Sequence, residues 1–273
     1  MTGSRGDTPD FSDPPVAEHV LSVQFAPLPN IHVAHMGLFW NEIKGRFPKS
    51  EERSELPAIV EQFPEIPRHG TGVQIQFQTF EVPPVPRCWF VNNDGTELIQ
   101  LQKDRFIKNW RQAGTEAEYP RYERVKAGFE EDFEIFRRFA KKENLGEIHV
   151  NQCEVTYINH IVAGEVWTEH SDMDKVFTSW RQPEFDFPGK AADAGWTARF
   201  MIPDNNNPVG RLHVNVQPST RVQDGRRMFV MSLTARGQIG TEIDFFDLGR
   251  QWVVRSFKNL TTAEMHRVWG LRN

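Results

Sequence analysis

The sequence predicts an α+β fold of two similarly ordered halves. Each half reads strand, helix, antiparallel meander, long helix, and together they form one extended, curved antiparallel sheet with helices on one face. Three observations carry that expectation. Leu212, Val214 and Val216 alternate with Arg211, His213, Asn215 and Gln217, the period of a strand in a sheet with one wet face. Tyr122, Val125, Phe129, Phe133, Phe136 and Ala140 recur at helical spacing as one apolar stripe. Asn92-Asn93-Asp94-Gly95 and a loop with Asp224-Gly225 separate strand-like runs, which suits hairpins rather than crossovers.

In chain order, Met1–Pro15 is rich in glycine, proline and aspartate and reads as a disordered leader. Leu21, Val23 and Phe25 then alternate within a strand that Pro27 and Pro29 end. Asn30 is placed to cap a helix carrying Ile31, Ala34, Leu38 and Ile43, and a Glu/Pro-rich connection follows to about Gly72. Strands are expected over Val73–Phe77, Arg87–Val91, Glu97–Lys103 and Phe106–Arg111, before the long helix that opens behind Pro120 and stops at Asn144-Leu145-Gly146. The first half thus covers residues 16–145 and the second 146–273. In the second, Ile148–Ile161 is a long strand and Thr168–Trp180 a short helix. Trp196–Ile202, Arg211–Gln217 and Met228–Arg236 are strands, and Thr241–Phe257 is the closing helix. Thr261 and Glu264 form a capping-box pattern ahead of a last short helix.

Composition narrows the function classes. With 38% hydrophobic and 25% charged residues the chain is an ordinary globular one. Two cysteines, Cys88 and Cys153, allow neither a disulfide framework nor a four-cysteine zinc site and point to a reducing, cytoplasmic setting. No apolar run has the ~20 residues of a membrane span. A net charge of −5 disfavours a generic phosphate-backbone binder.

The most informative residues are those opposite the apolar side of the strands. Gln74, Gln76 and Gln78, then Gln100 and Gln102, then His213, Asn215 and Gln217 form amide-rich rows, where simple solvation recruits lysine, glutamate and threonine instead. Amides donate and accept at once, so such rows suit a peptide, a base or a partner surface. The strand around Asn151, Glu154, Tyr157 and His160 is polar on both faces, which marks either an internal network or a polar pocket between sheet and helices. Lys103, Arg105, Lys108 and Arg111, with Trp110 nearby, and Arg221, Arg226 and Arg227 are the basic clusters that nucleic-acid binding would use. His32 and His35 lack a third metal ligand, the run Glu169–Asp174 lacks calcium-loop spacing, and no nucleophile elbow or phosphate-cradling loop occurs, so no metal, cofactor or catalytic residue is expected.

Five stretches resemble an uncharacterised prokaryotic family that is sporadically distributed among bacteria and archaea. They are PPVAEHVLSVQFAPLP, DGTELIQLQKDRFIKNWR, YPRYERV, VNQCEVTYINHI and LTTAEMHRVWG. The likeness spans nearly the whole chain after the leader and carries no catalytic residues with it. The element order also resembles the TATA-box-binding-protein saddle and related helix-grip folds, a likeness of topology alone. The expected function is a cytoplasmic, non-enzymatic recognition protein, compatible by analogy with a defence or toxin–antitoxin-type module. It would bind a protein partner or a second copy of itself on the amide-rich sheet face. Two alternatives stand beside it: a small-ligand sensor or enzyme with a pocket near Glu154, Tyr157 and His160, and nucleic-acid binding through Lys103–Arg111.

Overall fold

The computed structural model describes residues 8–63, 85–114, 118–181, 183, 184, 186, 189, 191–204, 207–238 and 240–272. The first part of the chain forms β1 (Asp10–Phe11), β2 (Val16–Phe25), α1 (Val33–Ile43), β3 (Lys49–Arg53), β4 (Arg87–Val91), β5 (Glu97–Gln102), β6 (Arg105–Arg111) and α2 (Tyr122–Lys142). The second forms β7 (Val150–Val162), a 3-10 helix (His170–Lys175), β8 (Trp196–Asp204), β9 (Asn207–Thr220), β10 (Arg227–Gly237), α3 (Glu242–Leu260), α4 (Ala263–Val268) and β11 (Leu271–Arg272).

Nine strands form one antiparallel sheet in the order β3-β4-β5-β6-β2-β7-β10-β9-β8. The opening strands β2 and β7 pair at its centre, and each is flanked by the last strand of its own meander, β6 and β10. One face carries Leu21, Val23, Phe106, Val155, Leu233 and Val214, all buried. The helices cover that face: Phe106 packs on Phe129, Phe133 and Phe136 of α2, and Phe90 of β4 on Phe39 of α1. Gly249 lets α3 lie against Val155 and Ala235, where a Cβ would sit 3.0 Å and 3.2 Å from their side chains. Among the described residues no helix is long and apolar enough to cross a membrane.

Several expectations change. The leader is tied down from Asp10: β1 pairs with β11, and Phe11 is buried against Phe257 and Trp269. Helix α1 starts behind His32, whose N–H donates to His35 Nδ1, whereas the Asn30 side chain donates to Asn144 O. Its buried face is Met36, Phe39 and Ile43, leaving Leu38 exposed, because the helix begins later and is rotated relative to the expected stripe. Strand β3, with the all-polar sequence KSEER, is an edge strand without the alternation that would announce it. The Val73–Phe77 strand, with Gln74, Gln76 and Gln78, lies outside the described residues. The helix expected over Thr168–Trp180 is only one 3-10 stretch, held by Asp172 accepting from the N–H groups of Thr168 and Glu169. Helix α4 is capped by Thr262, while Thr261 donates to Phe257 O at the end of α3.

Candidate functional site

The face of the sheet away from the helices is polar, and part of it is occupied. Residues 54–63, following β3, run across the strands as an extended strap. Gln102 of β5 accepts from Leu56 N and donates to Leu56 O, both at 3.0 Å. Gln24 of β2 accepts from Ile59 N at 3.1 Å. Gln152 of β7 accepts from Glu61 N at 2.7 Å and donates to Ile59 O. Arg105 of β6 reaches Pro57 O at 3.0 Å and also Gln24. Three glutamines at one level of β5, β2 and β7 thus bond the main chain of the strap as a strand edge would.

The far end of the strap is fixed by charge. The Glu61 carboxylate, 6% exposed, accepts from Arg211 of β9, lies 2.6 Å from His213 Nε2 and 3.6 Å from Arg236 of β10. Arg211 stacks over the Phe63 ring at 4.9 Å. Burial pushes the Glu61 pKa upward, but the His213 hydrogen bond and the charges of His213, Arg211 and Arg236 outweigh it and hold the group below the ordinary carboxylate value. Arg236 is shared with Glu154, 2.7 Å away.

This placement corrects the expected exposed amide row. Gln100 and Gln102 are buried. Gln100 accepts from Arg87 and Trp89 and donates to Asn109, which donates to Glu18, so its capacity is spent inside the first half. His213 is half-buried against Glu61, and among the described residues of that row only Asn215 and Gln217, which bond one another at 3.0 Å, are exposed. Gln24 and Gln152, the two central amides, carry no sequence signal beyond their place in β2 and β7.

The expected pocket divides between two faces. Glu154 and His160 lie on the polar face, Tyr157 on the helix face, and Asn151 is exposed at the end of β7, accepting from Gln24 at 3.3 Å. Tyr157 instead joins a second cluster. Its hydroxyl accepts from Tyr119 at 3.0 Å, and the Tyr119 hydroxyl is 3.0 Å from Nδ1 of the fully buried His19. Burial, with a contribution from Arg250, drives the His19 pKa down to about 3, so the ring is neutral.

The basic residues are also committed internally. Lys108 and Trp110 are buried on the helix face, Lys108 bonding Asp132 of α2 at 2.5 Å. Arg111 donates to Gly95 O, and Lys103 pairs with Glu55 of the strap at 3.0 Å. Arg221 and Arg226 share Asp224, and Arg227 pairs with Glu169. Such an arrangement offers phosphates few uncommitted cations. Cys153 and Cys88 are buried, and burial raises their thiol pKa values to about 12 and 11, which keeps both protonated and unreactive. Among the described residues no cluster of His, Cys, Asp and Glu could hold a metal. Comparison with family models, curated proteins and solved structures returns no match for this chain.

Proposed function

We propose that this chain is a non-enzymatic recognition protein that binds an extended, acidic polypeptide segment of a partner across the polar sheet face. The observation that carries the reading is the grip on residues 56–61. Glutamine side chains bond main-chain N–H and C=O groups, which every peptide offers, and a single Arg/Arg/His nest holds one carboxylate. Most strap side chains are not used: Ile59 and Val60 point outward, 37% and 49% exposed. A foreign extended segment with glutamate at the matching position would form the same bonds, so the strap is the face's own intramolecular occupant. Recognition by main-chain bonds with side-chain pockets for specificity is the logic of strand-addition binding.

The same reading takes the halves as related by a pseudo-dyad between β2 and β7. Supporting it, each opening strand pairs with the last strand of its own meander. The two free cysteines favour a cytoplasmic setting.

The test is fluorescence anisotropy of a labelled peptide SELPAIVEQF, residues 54–63, titrated with the full chain carrying Glu61→Ala, in which the strap has lost its anchor. Saturable binding is expected, at least tenfold weaker when the peptide's second glutamate is alanine. The wild-type chain should bind less, because its tethered strap competes at an effective concentration of about millimolar. Absence of binding to the Glu61→Ala chain overturns the proposal.

A further inference from the structure

A second site lies on the opposite side of the sheet. Between the N-terminal segment, the start of α2, β7 and α3 is a cavity of about 400 Å³, within the ~300–1,000 Å³ range of small-molecule sites. One wall is apolar, formed by Phe11, Val16, Val253 and Phe257. The other is polar and holds all three tyrosines of the chain, Tyr119, Tyr122 and Tyr157, with Arg250. Such convergence of a scarce residue on one cavity is not what packing alone demands.

The polar wall has unused capacity. The Tyr157 hydroxyl accepts from Tyr119, which leaves its own proton to donate. Behind it, His19 Nε2 is buried without a hydrogen-bond partner. The cations at the rim differ in their commitments. Arg121 is held by Asp10, Phe11 O and Ser12 O, and Arg272 by Asp10. Arg250 has Glu123 at 3.8 Å, a side chain 74% exposed, a hydrogen bond to the Tyr157 hydroxyl, and the face of Tyr122 with 4.8 Å between guanidinium and ring centroid. Its Nε is buried without an acceptor. A guanidinium set beside a hydroxyl donor and an aliphatic–aromatic wall presents two donors to an anion and a dry surface to a hydrocarbon body.

We propose that this cavity binds a small monocarboxylate with an apolar body, its carboxylate between Arg250 and the Tyr157 hydroxyl and its chain or ring against Val253, Phe257 and Phe11. Tyr119 is a positioning residue that orients Tyr157, and His19 orients Tyr119. The site is independent of the strap face, since the two lie on opposite sides of the sheet.

The test uses the full chain with 3-fluorotyrosine incorporated, where every fluorine resonance reports on the cavity. Decanoate and phenylacetate are titrated against decanol and phenylethanol, with thermal shift in parallel. The expected result is saturable movement of the resonances and a raised Tm with at least one carboxylate. The alcohols should respond at least tenfold more weakly. Arg250→Gln should keep three dispersed resonances, which verifies its fold, and lose the carboxylate response at least tenfold. Tyr157→Phe, which keeps the ring, should weaken it severalfold. No shift with either acid, an equal response to acids and alcohols, or an Arg250→Gln chain that binds as well as wild type would each overturn the proposal.

Discussion

Replacing Glu61 by alanine removes the charged anchor of the strap, and its consequence can be worked from the contacts. Breaking a buried ion pair by deleting one partner costs about 3–5 kcal/mol when the other charges stay buried. Here they need not stay buried, because the strap can peel away and return Arg211, His213 and Arg236 to water. The loss of stability is therefore capped by the docking free energy of the strap. Five amide–main-chain bonds worth about 1 kcal/mol each work against an ordering cost of about 1–2 kcal/mol for each of residues 56–61. Without Glu61 the balance tips toward the open strap. Amide hydrogen exchange read by mass spectrometry should then show the Leu56 and Ile59 amides at open-chain rates. The amides of β2 and β7 should remain protected as in wild type. Unfolding entropy of about 2 cal/mol/K per residue gives roughly 0.6 kcal/mol/K for this chain, so each kcal/mol lost lowers Tm by only about 2 °C. A strap that opens should stay well short of the roughly 5–8 °C that the full ~3–5 kcal/mol of a stranded ion pair would produce. Unchanged exchange in the strap together with a Tm drop of about 7 °C or more would refute the reasoning, since it would make the strap part of the cooperative core.

Other perturbations have equally definite outcomes. Asp132→Ala removes the fully buried carboxylate shared by Lys108 and Arg46 and leaves Lys108, 4% exposed, paired with the half-buried Glu97 at 3.0 Å. The loss by denaturant unfolding should therefore fall below the ~3–5 kcal/mol of a fully stranded buried charge, and adding Glu97→Gln should raise it toward that range. His19 is neutral in the fold, with its pKa lowered from 6.5 to about 3. The unfolded chain therefore binds a proton that the fold does not, and stability should fall with pH below about 6.5. The His19 contribution to that slope is about 1.4 kcal/mol per pH unit. Comparing wild type with His19→Gln between pH 6 and 4.5 checks it, and equal slopes would contradict the assignment. Glu61 acts below that window: its lowered pKa adds stability that is present above the unfolded value near 4.3 and is lost as pH falls through the folded value. Glu61→Gln should flatten the melting profile there. Gly237→Ala places a Cβ 2.2 Å from Val209 O and 2.7 Å from Phe245, and should lower stability by about 3 kcal/mol, measured by urea unfolding.

The elements legible in the sequence are those with a clean period and clear punctuation. β2, β9 and β10 alternate over Leu21–Phe25, Leu212–Val216 and Met231–Ala235, α2 and α3 carry apolar stripes, and Asn92–Gly95 turns with Gly95 at φ 78°. α1 was displaced because two histidines share its first turn and Leu38 mimics a core position. The polar edge strand β3 has no alternation to read. At the candidate site, the polar face of the strands was legible, whereas the burial of Gln100 and Gln102, the part played by Gln24 and Gln152, and the occupant were not. Main-chain groups of residues 56–61 make the bonds, and main-chain groups leave no trace in residue type. Nothing in residue type separates Glu61 from Glu55 in the same Glu/Pro-rich connection, so the partner of the Arg211–His213–Arg236 nest was not legible either. The separation of Tyr157 from Glu154 and His160 was available from arithmetic alone. Residues an odd number apart on a regular strand face opposite ways, so one pocket cannot hold all three. The convergence of Tyr119 and Tyr122 on Tyr157 depends on how the start of α2 meets β7, a tertiary fact without a local pattern.

The most direct measurement of the central claim is exchange of the wild-type strap in the presence of its own sequence in trans. With the SELPAIVEQF peptide raised to millimolar concentration, the Leu56 and Ile59 amides of the intact chain should exchange faster in a saturable way. The β2 and β7 amides should not respond, and the peptide with its second glutamate replaced by alanine should have no effect. If the strap amides keep their exchange rates at every concentration while the same peptide also fails to bind the Glu61→Ala chain, the sheet face does not recognise extended acidic segments.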